Sequence, residues 1–179
     1  MTLVAILFFI AFLLLLSFAT LFLAVEAYVV IIGDLKGAPF VRSRKKRIET
    51  MILRADISPE KIAVDLGAGD GSIVIAAALA GAHAVGIEIN PFLALWARFR
   101  IRRRGLANRA RIIRGNLFSY PLNGADVVFL YLLPKILPRL KEKCERELKP
   151  GARIISNAFP IEGWTPVEVK DKVFVYHKP

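Results

Sequence analysis

The sequence predicts an α/β fold: a seven-stranded, mostly parallel sheet with a C-terminal antiparallel hairpin, preceded by one transmembrane helix. Short apolar runs alternate with helical stretches through most of the 179 residues, as in a parallel sheet covered on both faces. A glycine-rich loop joins the first apolar run to the first of these helices. The first 32 residues include 28 hydrophobic ones and a single charged side chain, Glu26.

The N-terminal segment is long enough to cross a bilayer. Leu3–Val25 is a run of 23 residues without a charge, and a helix of that length is about 35 Å long, against a bilayer core of about 30 Å. A cleaved signal peptide would have a basic start, a shorter apolar core and a small-x-small cleavage site, none of which is present. We therefore predict a retained anchor over residues 1–32, a linker and pre-domain segment over 33–60, and one globular domain over 61–179.

The charges that flank this segment predict its orientation. No lysine or arginine precedes it, whereas six closely follow it: Lys36, Arg42, Arg44, Lys45, Lys46 and Arg47. Positive residues near a membrane span stay on the cytoplasmic side. The N-terminus is therefore expected outside, and the domain on the cytoplasmic or matrix-equivalent side.

The elements of the domain follow from hydrophobic periodicity and from glycine and proline positions. The predicted strands are residues 62–66, 84–89, 111–114, 126–132, 152–156, 167–169 and 173–176, and the last two form the hairpin. The predicted helices are residues 72–80, 91–105 and 135–148. Asn90 and Pro91 mark the start of the second of these helices, as N-cap and first helical residue. One face of that helix carries Phe92, Leu95, Trp96 and Phe99.

Cysteine and histidine are too few for a disulfide framework or a metal centre. Cys144 is the single cysteine, so no internal disulfide forms and the chain requires no oxidising compartment. Together with His83 and His177 it gives no zinc-binding spacing, and no metal site is predicted.

The most informative motif is the loop from Asp65 to Gly71, with glycines at 67, 69 and 71. It follows the first strand and opens a helix, where ligands of α/β sheets bind beyond the carboxyl ends of the strands. Glycines let the backbone approach a ligand, and the helix N-terminus favours an anionic group. Glu88 ends the second strand, where a carboxylate accepts hydrogen bonds from ribose hydroxyls.

Two cofactors suit such a loop. A dinucleotide loop has a third glycine where Ser72 stands here. Asp65 could bind an ammonium, and S-adenosylmethionine brings an ammonium, a carboxylate and a ribose together. The residues therefore favour S-adenosylmethionine, with a dinucleotide and a glycine-rich turn without a ligand as the alternatives.

The loop and Glu88 together resemble the first two motifs of the seven-β-strand, or class I, methyltransferases. Further segments narrow the resemblance: Pro39-Phe40-Val41, Arg47-Ile48-Glu49, residues 86–91, Phe159-Pro160 and Trp164-Thr165-Pro166. Over roughly residues 38–177 the chain is similar to the membrane-anchored protein-lysine methyltransferases that act on the ATP synthase c-subunit and the adenine nucleotide translocase. This implies a Rossmann-like methyltransferase sheet, S-adenosylmethionine as cofactor and a lysine as methyl acceptor.

The resemblance also implies roles for particular residues. The cofactor-binding residues would be Asp65, Gly67, Gly69, Asp70, Gly71, Glu88, Asn116 and Leu117, the last two beside the adenine. The family usually has Asp-Leu at the adenine position, and Asn116 keeps an acceptor there. Tyr131-Leu-Leu-Pro134 replaces the (Asp/Asn)-Pro-Pro-(Tyr/Phe) motif of related enzymes, which argues against methylation of DNA adenine or glutamine.

The acceptor side is less clearly marked. A lysine must lose its proton before it attacks a methyl group, and Glu49 and Tyr131 are the candidate catalytic residues. Phe159 and Trp164 are candidate walls of a substrate channel. The alternatives are a solvated helix charge for Glu49 and ordinary core packing for the three aromatic residues.

An arginine-rich segment points to a polyanionic surface. Eight arginines lie within 17 residues that contain no acid: Arg98, Arg100, Arg102, Arg103, Arg104, Arg109, Arg111 and Arg114. Anionic lipid, a merely solvated helix face and nucleic acid are the three interpretations. The anchor and the absence of a nucleic-acid-binding motif favour lipid.

The expected partners are therefore the bilayer and a membrane-protein substrate, for which the resemblance implies the ATP synthase rotor subunit. Methylation of a lipid or quinone, and a non-catalytic module that binds a membrane complex, are the alternative functions.

Overall fold

The computed structural model describes residues 3–36 and 45–178, and the chain divides into two compact units, Met1–Pro39 and Phe40–Pro179. Residues 3–36, the described part of the first unit, form the helix α1 (Leu3–Lys36). Its Leu3–Val25 part has a mean hydropathy of 2.9 and is long and apolar enough to cross a membrane, a property that signal sequences share. The helix continues past residue 33, where the sequence analysis places the start of the linker, and a single glycine in a helix costs only about 1 kcal/mol. Five residues used in the sequence analysis lie outside the described residues: Pro39, Phe40, Val41, Arg42 and Arg44.

The second unit opens with α2 (Lys45–Arg54), which buries Thr50 and Met51. A guanidinium nitrogen of Arg153 donates a hydrogen bond to the carbonyl oxygen of Arg54 over 3.0 Å, which ties the end of this helix to the sheet. The segment before the first strand is thus packed as part of the compact unit.

Seven strands form one sheet within residues 45–178, as predicted. They are β1 (Ile62–Leu66), β2 (His83–Glu88), β3 (Ala110–Arg114), β4 (Val127–Leu130), β5 (Arg153–Asn157), β6 (Glu168–Lys170) and β7 (Val173–His177). Their spatial order is β3-β2-β1-β4-β5-β7-β6. The first five strands in this order are parallel, and β7 runs antiparallel to both of its neighbours. The strand predicted over 126–132 is shorter and ends at Leu130.

Three further helices connect the strands. They are α3 (Ser72–Leu79), α4 (Pro91–Arg103) and α5 (Leu137–Glu147), the last preceded by a 3₁₀ turn, Pro134–Ile136. The predicted N-cap of α4 is confirmed, since the side-chain oxygen of Asn90 accepts hydrogen bonds from the amides of Phe92 and Leu93 at 2.9 and 3.2 Å.

The helices α2, α3 and α4 cover one face of the sheet. Their buried residues form one apolar cluster with alternate residues of the strands, such as Phe129, Ile155 and Val175. Tyr176 points to the opposite face by this alternation. Trp164 packs on the Tyr176 ring and donates a hydrogen bond to Glu145 of α5, so α5 belongs to that opposite face.

The four large apolar side chains of α4 share a face, as the sequence indicated, but that face is exposed. Phe92, Leu95, Trp96 and Phe99 have between 50% and 65% of their surface accessible to solvent. The helix instead buries small side chains and one isoleucine: Ala94, Ala97 and Ile101. A Cβ atom added at Gly71 would lie only 2.9 Å from the Cβ atom of Ala97. The helix lies so close to the glycine loop that only small residues fit between them.

Candidate functional site

The carboxyl ends of four neighbouring strands form one edge of the sheet. Their register is continuous: Leu66 pairs with Ile87 and with Leu130, and Leu130 pairs with Ser156. The next residue of each strand or loop therefore falls into a row, in the order Glu88, Gly67, Tyr131 and Asn157. Adjacent strands lie about 4.8 Å apart. The buried carboxylate of Glu88 therefore lies at one end of the row and the buried amide of Asn157 at the other, with Gly67 and Tyr131 between them.

The glycine loop adopts a backbone that side chains would disturb. Gly67, Gly69 and Gly71 have φ angles of 87°, 53° and 74°, in the left-handed region that favours glycine. A Cβ atom at Gly67 would lie 2.9 Å from a methyl carbon of Leu132. Gly71 is the N-cap of α3 and supplies no side-chain cap. The loop thus leaves a cradle of backbone at a helix N-terminus, which suits the carboxylate of a ligand.

Glu88 holds this loop in place. One carboxylate oxygen accepts a hydrogen bond from the amide of Gly69, and the other accepts one from the amide of Asn90, each over 2.7 Å. Only 7% of the residue is exposed. Each oxygen keeps a lone pair for a hydroxyl group of a ligand. The carboxylate therefore has a structural role that the sequence did not predict, beside the predicted contact with a ribose.

Asp65 is a buried carboxylate with acidic neighbours. Burial, reinforced by the nearby charges of Glu88 and Asp70, raises its pKa to about 8 from an ordinary value of 3.8. Such a group is costly to ionise unless a cation approaches it. A ligand ammonium at this position would provide that cation.

Asp70 makes contacts within the protein. Its carboxylate accepts a hydrogen bond from the amide of Ser72 over 3.1 Å and pairs with Arg100 over 2.6 Å. The Arg100 guanidinium also donates to the carbonyl oxygen of Asp70 and to the Ser72 hydroxyl. This ion pair joins the glycine loop to α4, so it fixes the loop's position.

Asn116 and Leu117 follow β3, and the backbone brings their segment to the same edge. The amide of Gly115 donates a hydrogen bond to the carbonyl oxygen of Glu88 over 3.0 Å. The side-chain oxygen of Asn116 accepts from the amide of Phe118 over 2.9 Å, which closes a local turn. The predicted adenine contacts therefore lie beside Glu88, and the Asn116 oxygen is already engaged.

Asn157 is a further candidate site residue, which the sequence analysis did not identify. It is fully buried, and within residues 45–178 neither its amide nitrogen nor its amide oxygen has a hydrogen-bond partner. Ala158 follows with a φ of 72°, a strained conformation for alanine that often marks functional sites. The predicted strand ends at Ser156, one residue before the end of β5. The available signal was a polar Ser-Asn pair at the end of an apolar run on the functional edge.

The remaining predicted acceptor-side residues are placed differently from one another. Tyr131 is half-buried in the row. Phe159 is half-buried after β5, where its carbonyl oxygen accepts from the Ser156 hydroxyl over 2.6 Å. The structure therefore brings both of these aromatic residues to the edge.

Trp164 and Glu49 are not brought to the row by any contact among residues 45–178. Trp164 packs at 5.7 Å from the ring of Tyr176, whose strand partner Ile154 lies three residues before Asn157, or about 10 Å along the strand. The side chain of Glu49 is 64% exposed and pairs with Lys45 over 3.9 Å. Their assignments as channel wall and catalytic residue rest on the sequence alone.

Three of the eight arginines in the basic segment serve the fold. Arg98 donates to the carbonyl oxygen of Ile112 over 3.0 Å, and Arg109 to that of Gly81 over 2.7 Å. Arg100 forms the ion pair with Asp70 described above. The five exposed arginines are Arg102, Arg103, Arg104, Arg111 and Arg114.

Comparison with known proteins gives one family. Residues 65–168 match the model of the ANTKMT methyltransferase domain. A protein-lysine N-methyltransferase of Saccharolobus islandicus is 41% identical over 133 residues, which are 73% of this chain and 83% of that protein. The human lysine N-methyltransferase of the ATP synthase c-subunit is 37% identical over 142 residues, 77% of this chain and 60% of that protein. The mouse adenine nucleotide translocase lysine N-methyltransferase is 36% identical over 143 residues, 77% of this chain and 62% of that protein.

Solved structures agree on the fold. The crystal structure of an RNA methyltransferase from Salinibacter ruber in complex with S-adenosyl-L-homocysteine superposes with a TM-score of 0.75. It is 35% identical and covers 78% of this chain and 94% of its own. The chain thus spans most of these two microbial proteins and about three fifths of the two mammalian ones.

Proposed function

The chain belongs to the ANTKMT methyltransferase family and is an S-adenosylmethionine-dependent methyltransferase, and from this premise we propose that it methylates a lysine side chain of a membrane protein. The observation that carries the proposal is the row at the sheet edge. Its β1–β2 side offers carboxylates and a glycine loop to a cofactor, and its β4–β5 side offers Tyr131 and a buried amide to an amine. Three relatives that match over this region, from Saccharolobus, human and mouse, are named as lysine methyltransferases.

The residues present fit S-adenosylmethionine. Asp65 would bind the ammonium, Glu88 would accept from the ribose hydroxyls, and the loop amides with the α3 N-terminus would hold the carboxylate. Asn116 and Leu117 would lie beside the adenine. When bound, S-adenosylmethionine supplies a methyl group on a positively charged sulfur, an electrophile that requires no further activation.

The protein's own contribution is to deliver a neutral amine in line with that methyl group. A lysine is mostly protonated at neutral pH, and burial disfavours the charged form. The Asn157 side-chain oxygen would accept a hydrogen bond from the amine and direct the nitrogen lone pair along the row, towards the cofactor side. Held in this way, the nitrogen would lie in line with the methyl group that the cofactor would supply, and after methylation it would have to release one proton.

The proton's exit and the channel that admits the lysine are assigned to separate residues. Tyr131 lies between Gly67 and Asn157 in the row and would take part in the proton's exit, with Glu49 as the alternative acceptor. Phe159 would wall the channel through which the lysine side chain enters. Trp164 would reach this channel only through a rearrangement of the loop that follows Phe159.

The substrate's location follows from α1. We propose that α1 is a membrane anchor, with the N-terminus outside and the domain on the cytoplasmic or matrix-equivalent side. An anchor confines the domain to a thin layer beside the bilayer and so raises its effective concentration towards targets in the same membrane. The relatives named for the ATP synthase c-subunit and the adenine nucleotide translocase support such a target, and the rotor subunit of an ATP synthase is the proposed substrate class.

The test is to supply the full-length protein with S-adenosylmethionine carrying a radiolabelled methyl group, together with membranes from cells that lack it. Solvent extraction then separates protein, lipid and RNA. The proposal expects the label in membrane protein and, after acid hydrolysis, in methyl-lysine. Label in extracted lipid or quinone would support the lipid alternative, and label in RNA would support the activity for which the Salinibacter protein is named; either result would overturn the lysine proposal.

A further inference from the structure

The outer face of α4 presents large apolar side chains to solvent. Phe92, Leu95, Trp96 and Phe99 are spaced three or four residues apart, which places them in one stripe along the helix. The Trp96 and Phe99 rings stack, with their centroids 5.6 Å apart. A soluble domain seldom leaves so many large side chains uncovered on one element.

The same face continues into positive charge. Arg102 and Arg103 follow Phe99 by three and four residues, so they extend the stripe at the C-terminal end of the helix. We define the α4 outer face by these two arginines and the four apolar residues. Arg104, Arg111 and Arg114 are exposed in the segment that follows. The sequence contains no acidic residue between Glu88 and Asp126, so no neighbouring side chain of this segment offsets the charge.

Other exposed leucines lie on the same side of the sheet. Leu53 of α2 and Leu79 of α3 are 72% and 68% exposed. These helices belong to the layer that also contains α4. Among residues 45–178, most exposed large apolar side chains thus lie on this helical layer, four of them on α4; the others are Ile62, Val167 and Val169.

We propose that the α4 outer face is a membrane-interface surface of the catalytic domain itself, which inserts its aromatic side chains among the headgroups of an anionic bilayer. Tryptophan and phenylalanine on one face of a helix with arginine beside them are typical of helices that lie in the interface plane. The arginines bind lipid phosphates with their planar guanidinium groups, while their carbon stems remain near the apolar stripe. The α4 outer face contains none of the four residues of the row, and the inference does not depend on the methyl acceptor being a lysine.

Charge and chain connectivity favour lipid over other occupants. Eight residues separate the end of α1 from the start of α2, so an anchored chain carries this domain close to a bilayer. If the α4 outer faces of two copies of the chain packed against each other, the arginines of both would come close together, and this repulsion is unfavourable. Single-stranded RNA also combines stacking with basic groups, and the test below distinguishes it from lipid.

The two tryptophans of the chain make a matched pair for the experiment. Trp96 lies in the α4 outer face, whereas Trp164 packs with Tyr176 on the opposite face of the sheet. The full-length variants Trp164→Phe and Trp96→Phe each keep one tryptophan. Each is reconstituted into bilayers of phosphatidylcholine and phosphatidylglycerol whose acyl chains carry bromine near the headgroups, and its fluorescence is compared with that in unbrominated bilayers.

The proposal expects bromine to quench Trp96 emission at least about twofold more than Trp164 emission. It also expects the quenching of Trp96 to fall when Arg102→Glu and Arg103→Glu are introduced together, or when phosphatidylglycerol is omitted. Cofactor binding by calorimetry confirms that each variant is folded. Equal quenching of the two tryptophans would overturn the proposal, as would quenching of Trp96 by a single-stranded RNA oligonucleotide with none by brominated lipid.

Discussion

At the scale of single residues, Asp65 combines a binding role with a cost to the fold. Its native pKa of about 8 lies above its ordinary value of 3.8 because the carboxylate is buried beside Glu88 and Asp70. The folded protein therefore keeps a proton on Asp65 that the unfolded chain has lost, and the stability contribution of this group falls as the pH rises from about 4 to about 8. A cofactor ammonium reverses that cost only when it is bound.

Replacing this carboxylate by its neutral amide should separate the two effects. We expect Asp65→Asn to weaken S-adenosylmethionine binding by roughly 10- to 150-fold, because a charge-assisted hydrogen bond contributes about 1.5–3 kcal/mol. The cofactor-free variant should melt at a higher temperature than the native protein at pH 8, with the difference vanishing below pH 4. Calorimetric titration and thermal unfolding at the two pH values measure these effects. Native affinity in the variant would show that the ammonium lies elsewhere.

The same pKa predicts that cofactor binding releases a proton. At pH 6.5 Asp65 is protonated in the free protein, and it must ionise to bind the ammonium. Calorimetric titrations in two buffers with different ionisation enthalpies should therefore give different observed heats, equivalent to nearly one proton released. Asp65→Asn is the control and should release none. Identical heats for the native protein in both buffers would contradict the assignment.

Asn157 is expected to serve the acceptor and not the fold. Its buried amide has no partner among residues 45–178, so an apolar side chain of similar volume should be tolerated. We expect Asn157→Leu to keep or raise the free energy of unfolding and to leave cofactor affinity unchanged, while turnover falls at least about tenfold. Denaturant unfolding, calorimetry and initial rates measure the three quantities. A variant that loses stability and turnover together would indicate a structural amide instead.

At the scale of elements, the packing between the glycine loop and its neighbours sets the shape of the cofactor site. Gly86 lies inside β2, where an added Cβ atom would lie 2.6 Å from the Cβ atom of Ala68 and 2.7 Å from a methyl carbon of Val74. Ala68 belongs to the loop itself. The strand and the loop can approach each other only because this position has no side chain.

We therefore expect Gly86→Ala to destabilise the protein by about 1–3 kcal/mol and to weaken cofactor binding, because the added methyl group overpacks the loop. Gly115→Ala is the matched control, since an added Cβ atom there meets nothing within 4 Å. It should change the free energy of unfolding by less than about 0.5 kcal/mol. Denaturant unfolding of the two variants measures both. Equal effects would argue against the close packing of strand and loop.

The elements could be predicted from the sequence more completely than the faces they bury. Hydrophobic runs located all seven strands, and Asn90 with Pro91 located the start of α4. Periodicity showed that the large apolar residues of α4 share a face, but not that Ala97 must pack on Gly71 and turn that face outward. Whether this face of α4 is buried or exposed depends on a contact between two positions that lie 26 residues apart. No local pattern encodes it.

The site was predictable to a similar degree. The glycine loop and Glu88 carry a motif, so their positions could be predicted, whereas the bracing of Gly69 by the Glu88 carboxylate could not. Asn157 enters the site only because β5 lies beside β4, and the order of strands in the sheet is not written in any segment of the chain. The packing of Trp164 against Tyr176, away from the row, depends on the antiparallel β7 in the same way.

At the scale of the whole molecule, a separate function is proposed for each of the two units. The first offers one helix that is long and apolar enough to cross a membrane. The second contains the row of site residues at one sheet edge and the α4 outer face on one helical layer. A bilayer that holds the first and contacts the second would bring the acceptor side of the row to proteins of the same membrane.

The most direct test of this account is to identify the methylated atom. Cells that lack the protein are supplied with the full-length chain or with its Asp65→Asn variant, and their membrane proteins, soluble proteins, lipids and RNA are compared by mass spectrometry. We predict methyl groups on the side-chain nitrogen of a lysine in a membrane protein, present with the native chain and much reduced with the variant. Methylation confined to soluble proteins, to lipid or to RNA, or lysine methylation equal in both samples, would contradict it.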